Sequence, residues 1–160
     1  MKKPSFIVLL LVLVAASALA QGAKPNFSGT WQIDLTKSEF GPMPPPDSIV
    51  SIIDHKDPKI VVKTTQKGAQ GEFSNERNIT TDGKPNANKL KTPMGEQDVT
   101  STTTWDGNQL VSSYKMEIQG TAVEFSDSWS LSDDGKVLTI AREIKSEQGP
   151  MSQKMVFNKK

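Results

Sequence analysis

Apolar and polar residues alternate along most of the chain. Trp31, Ile33 and Leu35 share one parity near the start, Ile60, Val62 and Thr64 another stretch, and Phe73, Asn75, Arg77 and Ile79 a third. A period of two sends successive side chains to opposite faces of an extended strand. No window carries the sustained spacing of an amphipathic helix. Turn chemistry recurs at Asp82-Gly83, Asp106-Gly107-Asn108, Gly120-Thr121 and Asp133-Asp134-Gly135, as tight hairpins require. The expected fold is all-β: a single antiparallel up-and-down meander of about 8–10 strands, closed or nearly closed into a barrel.

One stretch breaks the alternation. Residues 36–47 centre on Gly41-Pro42-Met43-Pro44-Pro45-Pro46, which is stiff and poor in backbone donors. A rigid connector crossing a barrel end is expected, with a proline-recognising partner as the alternative.

In the second half the turns set a register. With Gly120-Thr121 as a two-residue turn, Ile118 faces Val123, Met116 faces Phe125 and Tyr114 faces Asp127. An even-numbered loop at Asp133-Asp134-Gly135-Lys136 sets Leu131 opposite Leu138, Trp129 opposite Ile140, Asp127 opposite Arg142 and Phe125 opposite Ile144. A slip of one residue would send half the apolar side chains to water. Carried across the sheet, this parity gives an inner layer of Val99, Met116, Phe125, Ile144 and Met151. A second holds Thr103, Ser112, Trp129, Ile140 and Met155, and a third Trp105, Leu110, Leu131, Leu138 and Phe157. The opposite face, with Glu124, Ser126, Ser128, Ser130 and Lys154, is polar, unlike the lipid-facing band of an outer-membrane barrel.

Between the first two layers falls a polar row: Ser101, Tyr114, Asp127, Arg142 and Gln153. Buried charge is costly unless paired, and cross-strand neighbours are close enough for a carboxylate–guanidinium bond. Asp127 is expected to meet Arg142, with Tyr114 adding a hydroxyl to Asp127 and Gln153 serving Arg142. Two readings stand at this point. The row is a self-satisfied network that fixes register, or it is the polar floor of a cavity. In the second case it grips a ligand head group, such as a carboxylate at Arg142, with help from Arg77.

Other chemistry finds little support. His55 is the only histidine, beside Asp54, and no cysteine exists to complete a metal site; it is expected as a solvated turn residue. No serine lies in a nucleophile elbow, and Asp127 is the only acid the register turns inward, where a glycosidase needs two. Asp133-Asp134-Gly135 lacks the ligand spacing of a calcium loop. No catalytic residue, metal or cofactor is therefore expected.

Residues 1–20 are expected to be an export signal. Lys2 and Lys3 precede an apolar run over residues 6–20, and Ala18-Leu19-Ala20 places small residues where a signal peptidase reads, with cleavage between Ala20 and Gln21. The run is shorter than the roughly 20 apolar residues of a membrane span, so no integral span is expected after cleavage. Residues 21–160 then form one domain in the periplasm or outside the cell. The full chain carries 19 basic and 18 acidic residues; losing Lys2 and Lys3 reverses that slight excess. So balanced a charge offers no footprint for nucleic acid.

The first strand opens on Phe27-Ser28-Gly29-Thr30-Trp31. A Gly-x-Trp at that place resembles the calycin superfamily of lipocalins, fatty-acid-binding proteins and avidins. Together with the proline connector, Trp105-Asp106-Gly107-Asn108-Gln109-Leu110 and Trp129-Ser130-Leu131-Ser132, it is similar to small exported lipocalin-like bacterial proteins. The resemblance implies that Gly29 and Trp31 close one barrel end under a basic side chain from a late strand, Arg142 in preference to Lys154. The leading functional expectation is non-catalytic binding of a small, largely apolar or amphipathic molecule inside the barrel. The alternative is a structural or protein-interaction module with a solid core. Residues 84–98 are left as either a portal flap or a loop.

Overall fold

The computed structural model describes residues 24–118 and 120–160. The expected signal segment and its cleavage point lie outside the described residues. Ten strands follow in chain order: β1 (Gly29–Ile33), β2 (Ser48–Lys56), β3 (Lys59–Gly68), β4 (Gly71–Thr80) and β5 (Asn86–Thr92). The second half supplies β6 (Gly95–Asp106), β7 (Gln109–Ile118), β8 (Thr121–Leu131), β9 (Val137–Ser146) and β10 (Gly149–Lys159). They form one antiparallel sheet in the order β4-β3-β2-β1-β10-β9-β8-β7-β6-β5. The first strand thus pairs with the last, which curls the meander into a nearly closed barrel. Its two edges are β4 and β5.

Most hairpins are as tight as the turn chemistry demands. Lys56 pairs with Lys59, Gly68 with Gly71, Thr92 with Gly95, Asp106 with Gln109 and Ser146 with Gly149. Asp82-Gly83 departs from the expectation. Instead of folding β5 back onto β4, the chain there reaches β6: Asp82 bridges Thr104, and the Gly83 N–H donates to Thr103 O at 2.9 Å.

From β8 to β10 the observed register is the expected one: Leu131 meets Leu138, Trp129 meets Ile140, Asp127 meets Arg142 and Phe125 meets Ile144. Between β7 and β8 it differs by two residues. Ile118 pairs with Thr121, Met116 with Val123, Tyr114 with Phe125 and Ser112 with Asp127. Thr121 enters the strand, where a β-branched residue is at home, and Gly120 takes a positive φ of 80°. Two is a whole pleat, so inward residues stay inward while the rows change partners. The rows now read Ser101-Tyr114-Phe125-Ile144-Met151 and Thr103-Ser112-Asp127-Arg142-Gln153.

One end of the barrel is packed solid. Phe27, Trp31 and Leu110 are fully buried there, and Trp129, Leu138, Ile60 and Phe157 are nearly so. Trp31 donates its indole N–H to Phe27 O at 2.9 Å. The cation over the Trp31 ring is Lys159, with Nζ 5.2 Å from the centroid. This corrects the expectation for Arg142 and Lys154. Trp31 pairs directly with Lys159 across β1 and β10, whereas Arg142 and Lys154 lie farther along their strands. Gly29 serves the same closure: at φ 143° a Cβ would come within 2.6 Å of Lys159 Cε.

His55 corrects a second expectation. It is 4 % exposed, stacked on Phe27 and Trp105 at centroid distances of 5.8 and 5.9 Å. The Phe27 N–H donates to His55 Nδ1 at 3.2 Å, so the short segment before β1 folds over the barrel end as a plug. Leu35 lies past the end of β1 and is exposed, because the alternation stops at Ile33.

The proline connector runs up the wall beyond the short β1. Glu39 and Lys154 exchange backbone hydrogen bonds at 2.7 and 2.8 Å, and the Asp47 N–H donates to Lys67 O on β3 at 2.8 Å. It therefore spans the space between β10 and β2, with Phe40 packed against the core.

Candidate ligand-binding site

Above the plug, the inner wall changes character. On β4 and β5 the inward side chains Phe73, Asn75, Arg77 and Leu90 are only half-buried, and so are Phe125 and Arg142 on the far wall. Inward residues that solvent still reaches mark this as the less tightly packed end of the barrel.

Asp127 and Arg142 make the centre of this region. Asp127 is 1 % exposed and takes two donors from Arg142, Nε to Oδ1 at 2.7 Å and Nη2 to Oδ2 at 2.8 Å. Strand pairing delivers both residues to adjacent inward positions, and the bidentate fork fixes their geometry. Burial works against the charge on Arg142, but the Asp127 carboxylate more than offsets this and holds its pKa above the ordinary value. The pair is neutral as a unit.

The other members of the expected row take different partners. Gln153 donates from Nε2 to Phe40 O at 3.2 Å, so it secures the connector and not Arg142. Tyr114 moves one row away with the register shift. Its ring stacks parallel on Phe125 at 5.0 Å and 6°, and the Arg142 guanidinium lies 5.7 Å from the centroid of that same ring. The stack Tyr114–Phe125–Arg142 was not foreseen, because the expected register put Phe125 beside Met116. Burial raises the Tyr114 pKa, and Asp127 adds to the rise, while Arg142 and Arg77 act the other way. The phenol is therefore a neutral hydroxyl placed within the field of both guanidinium groups.

Ser101 sits opposite Tyr114. It is buried, and its hydroxyl has no hydrogen-bond partner among the described residues. Beside the pair, the Thr103 hydroxyl donates to Ser112 Oγ at 2.9 Å. Arg77 stands on β4 opposite Val62, half-buried and with no carboxylate in ion-pair contact among the described residues. The structure thus brings Tyr114, Asp127, Arg142 and Arg77 into one neighbourhood, with Ser101 at its margin. It assigns Gln153 to the wall.

A second concavity lies on the outer face. A groove of about 700 Å³ is lined by Thr100, Thr102, Ser113, Lys115, Glu124 and Ser126, and it shares Tyr114 and Phe125 with the inner wall. Its lining mixes polar and apolar surface, and Lys115 and Glu124 form an ion pair within it.

No protein-family model matches the chain, and no curated protein matches it in sequence. Among solved structures it is similar to the zebrafish ileal bile acid-binding protein complexed with cholic acid. The identity is 15 % and the TM-score 0.53, over 84 % of this chain and 98 % of that one. At this identity the likeness is one of fold. By architecture, the chain shares the antiparallel barrel fold of that protein.

Proposed function

We propose that the mature chain is an exported, non-catalytic binding protein that holds a small, largely apolar or amphipathic molecule in the less tightly packed end of its barrel. The observation that carries this reading is the Tyr114–Phe125–Arg142 stack, half-open on an inner wall whose opposite end is plugged. Aromatic faces supply apolar contact, and a few converging polar groups orient the guest. Because Arg142 is already neutralised by Asp127, an acidic head group finds its partner in Arg77, with the Tyr114 hydroxyl as a second donor. Chemistry on the ligand is not part of the proposal. The one inward acid is committed to Arg142, and His55 is spent on the plug.

Export to the periplasm or beyond rests on the basic start, the apolar run and Ala18-Leu19-Ala20. The fold neighbour holds cholic acid, an amphipathic acid, which makes cholate a rational probe alongside oleate.

Native mass spectrometry of the mature protein with each probe tests the reading. A one-to-one complex is expected, and Arg77→Gln should weaken it about tenfold, the worth of a charged hydrogen bond. If neither probe forms a complex, the binding reading falls and the alternative of a structural or interaction module takes its place.

A further inference from the structure

Nine of the ten strand junctions in the barrel wall are backbone ladders. The tenth, between β4 and β5, is made by side chains. Asn75 on β4 donates from Nδ2 to Lys91 O at 3.0 Å and accepts the Lys91 N–H on Oδ1 at 2.6 Å. From the other side, Asn88 on β5 donates to Asn78 O at 3.0 Å and accepts the Asn78 N–H at 2.7 Å. Each asparagine amide stands in for a peptide group, bonding one donor and one acceptor of the facing strand. Beyond Asn75, toward Gly71 and Thr92, no hydrogen bond joins the two strands among the described residues.

We infer that this seam is the ligand's way in, an inference that rests on the binding reading above. Both edge strands keep their ladders on the far side, β4 with β3 and β5 with β6. Opening the seam along its whole length therefore breaks only side-chain bonds that water can replace at once. Opening any other junction along its whole length breaks a ladder; the β6–β7 ladder is the shortest of the long-strand ladders, ending at Ser101–Tyr114. The seam also leads to the right place. Phe73 and Arg77 lie on one lip and Leu90 on the other, all inward and half-buried.

The plugged end supplies the hinge. There Thr80 and Asn86 hydrogen-bond at 3.3 Å, and Asp82 and Gly83 are tied to β6. The β5–β6 hairpin is thus held at its base and free toward its tip at Met94, which is 52 % exposed. Residues 84–98 act as a flap built from a strand, not as a loose loop.

Stopped-flow uptake of a dansyl-labelled fatty acid, combined with amide exchange, tests this. Asn75→Ala/Asn88→Ala should speed exchange of the Lys91 and Asn78 amides about tenfold or more without touching β8 and β9. It should also speed uptake. The chain has no cysteine, so Glu76→Cys/Lys89→Cys gives two unique thiols on the outer face of the seam. Bridging them with a short bis-maleimide should slow uptake about tenfold relative to the unbridged variant. Unchanged uptake after bridging, with the probe still bound at equilibrium, overturns the entry route and leaves the binding reading intact. Unchanged exchange in the alanine variant also overturns it. A probe that binds no form at equilibrium removes both.

Discussion

Arg142 holds Asp127 with two parallel N–H donors at 2.7 and 2.8 Å, each to its own carboxylate oxygen. Asp127 is 1 % exposed, and the Arg142 side chain 24 %. Removing the acid leaves a cation stranded in the wall. Asp127→Ala should therefore destabilise the barrel by about 3–5 kcal/mol, the usual consequence of orphaning one partner of a buried pair. Ser126→Ala, one residue away on the outer face, should stay within about 0.5 kcal/mol. Urea unfolding compares the two directly. Equal effects would mean that the pair does not sit in a dry wall.

Lys159 and Gly29 act on Trp31 together. A Cβ at position 29 meets the lysine stem at 2.6 Å in a backbone of φ 143°, so Gly29→Ala should cost about 1–3 kcal/mol of backbone strain and displaced packing. Lys159→Ala should cost about 0.5–1 kcal/mol for the lost contact with the ring. The double variant should lose less than the sum, because both changes dislodge the same side chain. Strict additivity in urea unfolding would separate the glycine from the lysine.

The plug depends on one ring. Phe27 is fully buried, stacks on His55 and Trp105, and meets Trp129 edge-on at 5.8 Å. Phe27→Ala should cost about 3–5 kcal/mol, as for other buried phenylalanines. It should also shift tryptophan emission to the red as water reaches Trp105 and Trp129. Unaltered emission would show that the segment before β1 does not cover the end.

Asp57 sets part of the acid limit. The Thr81 hydroxyl and the Trp105 N–H both donate to it, at 2.7 and 3.0 Å, and with His55 they hold its pKa below the ordinary carboxylate value. A carboxylate depressed in the folded state favours folding above its unfolded pKa, and that contribution disappears as pH falls through the folded value. The wild type minus Asp57→Asn difference in stability should thus be constant near neutrality and shrink below about pH 4, where an unfolded aspartate begins to take its proton. A difference that grows on acidification would reverse the assigned sign.

Much of this architecture was legible in the sequence because parity is robust. Trp129 and Arg142 point inward as the alternation demands, and the β8–β9 register follows from the loop before Val137. What escaped was whatever parity leaves unconstrained. A two-residue shift at Gly120 preserves every inside and outside assignment, yet it moves Tyr114 from Asp127 to Phe125. His55 was missed because residues 48–56 were not read as a strand; there it continues the inward parity of Ile49, Ser51 and Ile53 opposite Ile60, and Phe27 completes its burial. Lys159 was missed because the inward rows were carried only as far as Phe157, although Lys159 continues the same parity on β10. The β4–β5 seam was invisible because Asn75 reads as an ordinary residue of its strand face and Asn88 lies within residues 84–98, where the sequence assigns no strand; only the structure shows their amides meeting the facing backbone.

Backbone amide NMR of residues 21–160 during titration with cholate and oleate is the most direct measure of the central claim. The account predicts saturable shifts at Arg77 and Arg142 on the inner wall, together with Tyr114 and Phe125, which border the outer groove as well. Shifts confined to the outer groove around Thr102, Lys115 and Glu124, or none at all, would contradict it.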